Sequence, residues 1–413
     1  RRLTRSSDGG IAFDGEGDLV DWLLEMRRFD EHAVLSAQPY AVDGPLAEAL
    51  GRTVAAAHAL APLRPRGGGA AALKYTIDSN AHLLTELAPR LGEERVSRLI
   101  ALTEAGFHEQ ATLLDRRQAL GFARQCHADL HLGNILVENG QPILFDCIEF
   151  NDVLSDIDIQ YDIAFLLMDL DFRRRRDAGV RVLSAYLDEA GRHFDEGLRE
   201  GLAALPLMLA VRAAVRAHVS AHSSNDAAAI DYVEAAIAHL APSQASLVAV
   251  GGLSGSGKST FARLIAPGLG PSPGAVVLRT DETRKRLAGV GSAERLGPEA
   301  YTQAAGDQVY EAMMREAGQF LAAGRAVVLD ATFLSADLRA RAEALAAEAG
   351  VAFRGVWLDA PPEVLATRIE GRSDDASDAT LATLERQTQL DVGQVTWPRI
   401  DATGPAEDSA QAW

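Results

Sequence analysis

Lysine and cysteine are both scarce in this sequence. Only three of its 40 basic residues are lysines, and its two cysteines are Cys126 and Cys147. Two cysteines cannot build a disulfide framework, so we expect a reducing compartment and a cytoplasmic protein. No apolar run has the length that a bilayer span requires, and no signal-peptide pattern opens the chain, so we expect no membrane partner.

Positive charge is also in short supply, because acidic residues outnumber basic ones and the formal net charge is −18. Such a chain repels phosphate backbones, which disfavours a nucleic acid as a partner. The length of 413 residues exceeds what a single hydrophobic core usually supports. We therefore expect two domains.

The first half of the sequence has a mixed pattern. Alternating stretches near the N-terminus, GGIAF and DLVDWLLEMRRF, predict strands, and RPRGGGAAA predicts a loop. Helical periodicity covers about residues 80–124 and resumes over 157–240 without a strand, and short strands lie between these two regions. We expect an α+β domain that is mostly helical.

The pattern changes near residue 244, after the linker-like stretch APSQAS. Short apolar strands then alternate with helices, which predicts an α/β domain with a parallel five-stranded sheet. The fold class is therefore α/β overall. We assign residues 1–243 and 244–404 to two domains and residues 405–413 to a tail.

The stretch GGLSGSGKST fits the pattern G-x-x-x-x-G-K-[ST], follows the strand SLVAV and opens a helical run. Glycines permit backbone N–H groups to surround phosphates, Lys258 should reach the β and γ phosphates, and the Ser259 hydroxyl should hold Mg²⁺. Lysine is kept here because a planar guanidinium does not replace a compact ammonium. The alternative is a chance glycine-rich turn. We assign binding of ATP and Mg²⁺ to Gly252, Ser254, Gly255, Ser256, Gly257, Lys258, Ser259 and Thr260.

A D-x-x-R pattern, Asp281 and Arg284, follows the second strand of this half. Ligands of such sheets bind at this edge. Asp281 can act there as the base that accepts a hydroxyl proton from the substrate, and Arg284 can hold an acidic or phosphorylated substrate. The alternative is that Asp281 only caps the following helix.

Three more charged residues complete the candidate site of the second half. Asp330 ends the strand in AVVLDATF and is placed like the acidic residue that orients Mg²⁺ in such NTPases. Arg368 and Arg372 follow the fourth strand and can close over the transferring phosphoryl group. The alternative for both arginines is a solvated helix face.

This order of motifs resembles the P-loop kinases that include gluconate kinase, zeta-toxin-like kinases and polynucleotide 5′-kinase, over about residues 246–402. The resemblance implies in-line transfer of a phosphoryl group from ATP to a hydroxyl group.

The first half contains a different kinase signature. HADLHLGN fits H-x-D-x-x-x-x-N with His127, Asp129 and Asn134, and ILFD supplies Asp146. In protein-kinase-like enzymes the first aspartate orients the substrate hydroxyl, while the asparagine and the later aspartate hold metal ions. We therefore expect Asp129 to be catalytic, Asn134 and Asp146 to be metal ligands, and His127 to brace the loop.

These residues, followed by DIQYDIAFLLMDL, resemble the aminoglycoside phosphotransferase family, and the whole chain resembles bacterial two-part proteins that join such a domain to an ATP-binding kinase domain. The resemblance implies a protein-kinase-like fold with a helical C-lobe and a backbone near Met26 that faces adenine. It also implies a lysine on an early strand, yet only Lys74, in or beside the predicted loop, precedes the P-loop. We expect a truncated, incomplete N-lobe; the alternative is lost nucleotide binding. Either way, we expect a weak or inactive first kinase.

The leading interpretation is an ATP-dependent phosphotransferase that acts on a hydroxyl group of a small metabolite such as a sugar, sugar acid or amino-sugar. One alternative is a regulatory nucleotide sensor without a diffusible product, which needs no catalytic base. A second alternative is a polynucleotide 5′-kinase, which the D-x-x-R pattern favours and the net charge disfavours.

Overall fold

The computed structural model describes residues 1–25, 28–194, 197–291, 294–371 and 380–413. Two predicted residues, Met26 beside adenine and the lid residue Arg372, lie outside the described residues.

The N-terminal module, as we call the elements from β1 to α8, is mostly helical and carries three small sheets. Its strands are β1 (Arg2–Arg5), β2 (Ile11–Phe13), β3 (Asp18–Trp22), β4 (Ala123–Gln125), β5 (Ile135–Glu138), β6 (Gln141–Leu144) and β7 (Asp156–Asp158). Its helices are α1 (Gly44–Leu60), α2 (Gly69–Leu91), α3 (Glu93–Ala119), α4 (Asp152–Ser155), α5 (Ile159–Phe172), α6 (Arg176–Ala190), α7 (Leu205–His222) and α8 (Asp226–His239). The predicted α+β class with a mostly helical C-lobe is confirmed.

The N-lobe is small in the described part of the chain. Strands β2, β1 and β3 form an antiparallel sheet in that order, and none of the three carries a lysine. The strand predicted over DLVDWLLEMRRF is shorter than expected, because β3 ends at Trp22.

The predicted RPRGGGAAA loop is wrong in its second half, because α2 begins at Gly69. Asp115, on the neighbouring helix α3, accepts a hydrogen bond of 2.9 Å from the backbone N–H of Ala70 and so satisfies a donor at the start of α2. Lys74 therefore lies on a helix, where it pairs with Asp78 and Glu104. The uninterrupted helix predicted from residue 157 is also corrected at its start, because Ile157 lies in β7, which pairs with β4.

The P-loop module, as we call the elements from β8 to α15, is built on one parallel sheet of five strands in the order β12–β11–β8–β10–β9. Its strands are β8 (Ser246–Gly251), β9 (Val276–Arg279), β10 (Val327–Asp330), β11 (Ala352–Asp359) and β12 (Arg399–Asp401). Its helices are α9 (Lys258–Ile265), α10 (Thr280–Leu287), α11 (Gln303–Ala322), α12 (Ala336–Glu348), α13 (Pro362–Glu370), α14 (Leu381–Thr388) and α15 (Ala406–Ala412). The predicted α/β domain with five parallel strands is confirmed.

Alternate residues of the central strands enter two different cores. Leu247 and Ala249 of β8 belong to a core that continues into the N-terminal module, whereas Val248 and Val250 pack with Phe261 on the other face. This period of two follows from the pleat of a strand. Both faces of the sheet are therefore covered, and the carboxyl ends of all five strands share one edge.

The two modules are in close contact along helix α6. Strand β9 lies at the edge of the sheet, and its Val277 N–H donates a hydrogen bond of 3.2 Å to the Ser184 hydroxyl of α6. At the other end of the module, residues 406–412 of the segment that the sequence assigns to a tail form α15, which packs on α9.

One helical span in the described ranges, Glu200–His222, is long and apolar enough to cross a bilayer by length and composition. Of its apolar window, 67% is buried inside the protein, as in the core helix of a globular domain. The span includes α7, which packs against α5 and α8.

Candidate functional site

The glycine-rich loop wraps the amino end of α9 after leaving strand β8. Gly252 and Gly255 have φ angles of +140° and +87°. A β-carbon added at Gly252 would come within 2.5 Å of the Leu358 carbonyl oxygen, and one at Gly255 within 2.6 Å of the Leu365 carbonyl oxygen. Both the backbone conformation and the space therefore require glycine at these two positions.

In the loop before α9, the Ser254 N–H donates to Gln387 Oε1 at 2.8 Å and the Ser256 N–H donates to the Leu253 carbonyl oxygen at 3.2 Å. Helix α9 itself begins at Lys258. Such a helix start favours an anion because its first N–H groups have no partner within the helix and its dipole is positive there. Lys258 Nζ donates a hydrogen bond of 2.8 Å to the Leu253 carbonyl oxygen, across this loop. The predicted order of strand, glycine-rich loop and helix is therefore present, and phosphate binding by the loop stays a prediction.

Ser259 and Asp330, which are 71 residues apart in sequence, meet at the edge of the sheet. The Ser259 hydroxyl donates a hydrogen bond of 2.5 Å to Asp330 Oδ2 at the end of β10. The buried guanidinium of Arg279, at the end of β9, lies 3.3 Å from the same carboxylate oxygen and 3.2 Å from Ser259 Oγ. Two oxygen ligands and a cation thus meet where the sequence predicts a metal.

This donor set fits Mg²⁺, which prefers oxygen ligands and is usually held by one or two protein groups together with phosphate oxygens. A further feature fits a nucleotide: Ser256 Oγ is buried and has no hydrogen-bond partner among the described residues. Buried polar groups are almost always paired, so this hydroxyl is suited to a ligand in the loop.

The predicted acceptor residues lie on α10, directly after β9. The N-cap position of this helix is Arg279, with Asp281 in the first turn. Arg284 Nη1 donates a hydrogen bond of 2.6 Å to the Ala300 carbonyl oxygen, and its guanidinium lies 4.9 Å from the centre of the Tyr301 ring.

Tyr310, on helix α11, contacts the segment that follows β10. Its hydroxyl lies 3.2 Å from Thr332 Oγ1, and the Thr332 carbonyl oxygen accepts from the Gly252 N–H at 3.2 Å. Burial raises the pKa of Tyr310, while its hydrogen bonds and the positive charge of Arg284 lower it and the charge of Asp281 raises it. The pKa of Tyr310 is therefore raised mainly because its hydroxyl group is buried.

A cavity of about 440 Å³ opens beside the glycine-rich loop. Its walls come from the loop, from Arg368 and from the turn before α15. The Arg368 guanidinium donates hydrogen bonds of 2.7, 3.1 and 2.8 Å to the carbonyl oxygens of Ala402, Thr403 and Gly404. The predicted contact of Arg368 with the transferring phosphoryl group stays a prediction.

In the N-terminal module, the loop that carries Asp129 is braced by buried Asp162 on α5. The Asp162 carboxylate accepts from the backbone N–H groups of Ala128 at 2.7 Å and His127 at 3.2 Å, and from His58 Nε2 at 3.0 Å. Burial acts to raise the pKa of Asp162, but the hydrogen bond from His58 and nearby positive charges hold it below its usual value. Its negative charge is therefore retained in the interior, which keeps the loop in place.

The loop brings Asp129 and Asn134 together as the spacing predicts. Asn134 Nδ2 donates to Asp129 Oδ2 at 2.9 Å, and His131 Nε2 lies 3.5 Å from the same carboxylate oxygen. Burial acts to raise the pKa of Asp129, but the bond from His131 lowers it overall. His127 Nε2 lies 2.8 Å from the Phe145 carbonyl oxygen, which agrees with a bracing role.

Asp146 directly follows that carbonyl group, is exposed and has a φ angle of +59°. The Phe145 N–H donates to the Asn134 carbonyl oxygen at 3.0 Å, so the segment before Asp146 is paired with the loop that carries the other candidate metal ligand. The three predicted residues of this module, Asp129, Asn134 and Asp146, are thus presented by adjoining segments.

Two residues at these sites were not predicted from the sequence. Arg279 touches both candidate metal ligands of the P-loop module, and its only local signal is a charge at the end of an apolar strand, VVLR. His58 braces Asp162 and lies 3.0 Å from the Tyr186 hydroxyl through its other ring nitrogen. No local pattern marks His58, because its partners lie 104 and 128 residues away.

Comparison with known families assigns the class of each half. Residues 11–202 match a family described as phosphotransferase enzyme family, and residues 247–390 match one described as AAA domain. These matches make the chain a kinase of the phosphotransferase class that uses ATP.

The chain belongs to the same family as uncharacterized proteins of Mycobacterium tuberculosis and Mycobacterium bovis. Each is 32% identical to it over 424 aligned residues, which cover 99% of this chain and 84% of the relative. The alignment therefore spans both the phosphotransferase region and the P-loop region of this chain.

Two solved structures resemble part of this chain. The first, APS kinase CysC of Mycobacterium tuberculosis in complex with AMPPNP and APS, is 24% identical with a TM-score of 0.31 and covers 41% of this chain and 96% of its own. The second, a gluconokinase from Sinorhizobium meliloti, is 23% identical with a TM-score of 0.29 and covers 40% of this chain and 87% of its own. Because both TM-scores are low, neither structure identifies the acceptor.

Proposed function

We propose that the P-loop module transfers the γ-phosphoryl group of ATP to a hydroxyl group of a small metabolite. The observation that carries the proposal is the meeting of Ser259 with Asp330 at the edge of the sheet, beside the loop that presents Lys258. These groups serve phosphoryl transfer, which needs positioning and charge neutralisation rather than a covalent intermediate.

Each residue would have a separate role. The backbone N–H groups of the loop and Lys258 would hold the phosphates, and Ser259 and Asp330 would hold Mg²⁺. When bound, the metal ion would neutralise charge on the β and γ phosphates. Lys258 would exchange its bond to the Leu253 carbonyl for a phosphate oxygen, since a phosphate offers it a charged acceptor.

On the acceptor side, Asp281 would orient the attacking hydroxyl group and accept its proton. Arg284 would hold the acceptor, and it already lies against the Ala300 carbonyl and the Tyr301 ring. The 440 Å³ cavity beside the loop has space for the nucleoside part of ATP.

The N-terminal module would be a second kinase-like site or a domain that binds substrate or product. Asp129, Asn134 and Asp146 are presented together, which favours a phosphotransferase ancestry for this module. The strands of the described N-lobe carry no lysine, so we propose that this site is weak or inactive as a kinase.

The acceptor class can be found by a screen for phosphate transfer from labelled ATP. The screen should include sugars, sugar acids, aminoglycosides, nucleosides and 5′-hydroxyl oligonucleotides. Transfer to a small hydroxylated compound would support the proposal. Transfer to oligonucleotides that falls steeply with salt would replace it with a polynucleotide kinase. Tight ATP binding without transfer to any acceptor would favour a nucleotide sensor.

Replacement of Asp281 with asparagine tests the proposed base. We expect kcat to fall by about 10²-fold to 10³-fold, since asparagine cannot accept the proton, while the Kd for ATP stays within a factor of two or so. The matched control is Asp337→Asn, an exposed acidic residue in the first turn of α12. An unchanged kcat in Asp281→Asn would contradict the assignment.

A further inference from the structure

Helix α6 of the N-terminal module holds two consecutive elements of the P-loop module. Its Ser184 hydroxyl accepts from the Val277 N–H of β9 at 3.2 Å. One turn later, Asp188 Oδ1 accepts a hydrogen bond of 2.6 Å from Arg286 Nη1 of α10. The strand that leads to the acceptor helix and the acceptor helix itself are therefore fixed by one helix of the other module.

Arg286 of α10 also contacts a third helix, α11. Its second terminal nitrogen, Nη2, donates a hydrogen bond of 2.6 Å to Glu316 Oε1 on α11, and Arg199 Nη2 reaches the same oxygen at 2.9 Å. The side chains of Asp188, Arg286 and Glu316 are only 14, 10 and 8% exposed. Water therefore competes weakly for these charges.

The position of Arg286 on α10 gives this contact a functional meaning. Helix α10 has eight residues, and Arg286 follows Arg284 by two positions and Asp281 by five. A helix this short moves as one body, because its residues are tied by i to i−4 hydrogen bonds. A contact that fixes Arg286 therefore also fixes the directions of Asp281 and Arg284.

We propose that Asp188 is a positioning residue for the acceptor site of the P-loop module, supplied by the N-terminal module. Through Arg286 it holds α10 in the orientation that keeps Asp281 and Arg284 at the carboxyl edge of the sheet. The proposal rests on the function proposed above, since it takes Asp281 and Arg284 as the acceptor residues. The N-terminal module then contributes to catalysis by the other module even if its own site is inactive.

The charges around Asp188 give the contact a pH dependence. Glu282 and Arg286 face it from α10, and Arg192 faces it from the turn that follows α6. Burial is the largest cause that raises the pKa of Asp188, to about 6, and the negative Glu282 also raises it, while Arg286 and Arg192 act in the opposite direction. Glu316 lies on the far side of Arg286 and competes for the same guanidinium.

The sign of this shift separates positioning from simple stabilisation. The pKa of Asp188 is raised in the folded chain from its ordinary value of 3.8 to about 6. The contribution of Asp188 to folding stability is therefore complete below pH 3.8 and is lost as the pH rises from 3.8 to about 6. At neutral pH the ionised carboxylate therefore costs folding stability. It is nevertheless the ionised form that binds Arg286 most strongly.

The test is Asp188→Asn in the full chain, because asparagine keeps the size and one acceptor oxygen but removes the charge. We expect the backbone amides of residues 280–290 to exchange hydrogen about tenfold faster at pH 7.5, because one charge-assisted hydrogen bond is weakened. We expect no change in the exchange of residues 252–265. We expect the unfolding temperature at this pH to be unchanged or higher. The matched control is Asp177→Asn on the same helix, whose partner Arg175 lies in the N-terminal module.

The pH dependence of hydrogen exchange distinguishes a positioning residue from one that only stabilises the fold. After correction for intrinsic rates, protection of residues 280–290 in the wild type should fall as the pH drops through about 6, the pKa to which Asp188 is raised. In Asp188→Asn this step should be absent. With an acceptor from the screen, Asp188→Asn should raise the KM for the acceptor about tenfold and leave the KM for ATP unchanged.

Three results would overturn the proposal: wild-type exchange in Asp188→Asn, equal acceleration in Asp177→Asn, or a lower unfolding temperature with faster exchange throughout the chain. Hydrogen exchange needs no acceptor. A failure of Asp188 to position α10 is thus distinguishable from a failure of the proposed function, which would appear as absent phosphate transfer with the exchange results intact.

Discussion

Replacement of Lys258 with alanine is expected to reduce phosphate transfer by about 10³-fold, the effect typical of removing one charged group that stabilises the transition state. Lys258 opens helix α9, and its ammonium group already lies over the glycine-rich loop, 2.8 Å from the Leu253 carbonyl oxygen. Lys258→Arg should not restore activity, because a planar guanidinium is larger than an ammonium group and directs its hydrogen bonds differently.

Transfer of labelled phosphate from ATP, together with ATP affinity by calorimetry, measures the effect. The matched control is Lys74→Ala. Of the two other lysines, Lys285 is buried, whereas Lys74 is partly exposed and lies in the N-terminal module. We expect it to retain nearly full activity. If Lys258→Ala stays active while Asp129→Ala is inactive, the reaction belongs to the N-terminal module and the proposed function of the P-loop module is wrong.

Replacement of Arg117 with alanine is expected to lower the free energy of unfolding by about 3–5 kcal/mol, as for a buried ion pair that loses one partner. Arg117 is fully buried, and its Nε and Nη2 donate to the two oxygens of Asp158 at 2.7 and 2.9 Å. Its guanidinium also lies 4.1 Å from the centre of the Phe122 ring. Alanine would leave the Asp158 carboxylate buried without its counter-charge.

Urea unfolding followed by far-ultraviolet circular dichroism measures this loss. The neighbouring residue provides the control, since Arg116 pairs with Glu200 at 2.9 Å but both side chains are about half exposed. Exposed pairs contribute about 1 kcal/mol or less, so Arg116→Ala should change stability little. Equal losses in the two variants would show that burial of the Arg117 pair is not what stabilises the N-terminal module.

The parts of the fold that follow from local patterns could be predicted from the sequence. The strand, glycine-rich loop and helix around Lys258 form one contiguous segment, so the motif and its context predict the structure together. The five parallel strands also follow from short apolar runs that alternate with helices. Asp129 and Asn134 lie in one short loop, where their spacing alone brings them together.

Contacts between distant segments could not be predicted in this way. Helix α2 begins inside a glycine-rich stretch because Asp115, 45 residues away, accepts from Ala70. Arg368 contacts three carbonyl oxygens of the turn before α15, which a local pattern of arginines after a strand does not indicate. Arg279 and Asp188 each act on partners from other elements, and such partners become visible only when the tertiary structure is known.

The covering of β9 by α6 has a consequence for any attempt to study the P-loop half in isolation. Without α6, the outward backbone groups of β9, Val277 N–H among them, would be bare to solvent. An uncovered strand of this kind is a template on which a second copy can add its own strand. A polypeptide that begins at residue 244 should therefore self-associate through strand β9 at the edge of its sheet. Its measured activity and stability would then reflect that association and not the properties of the intact enzyme.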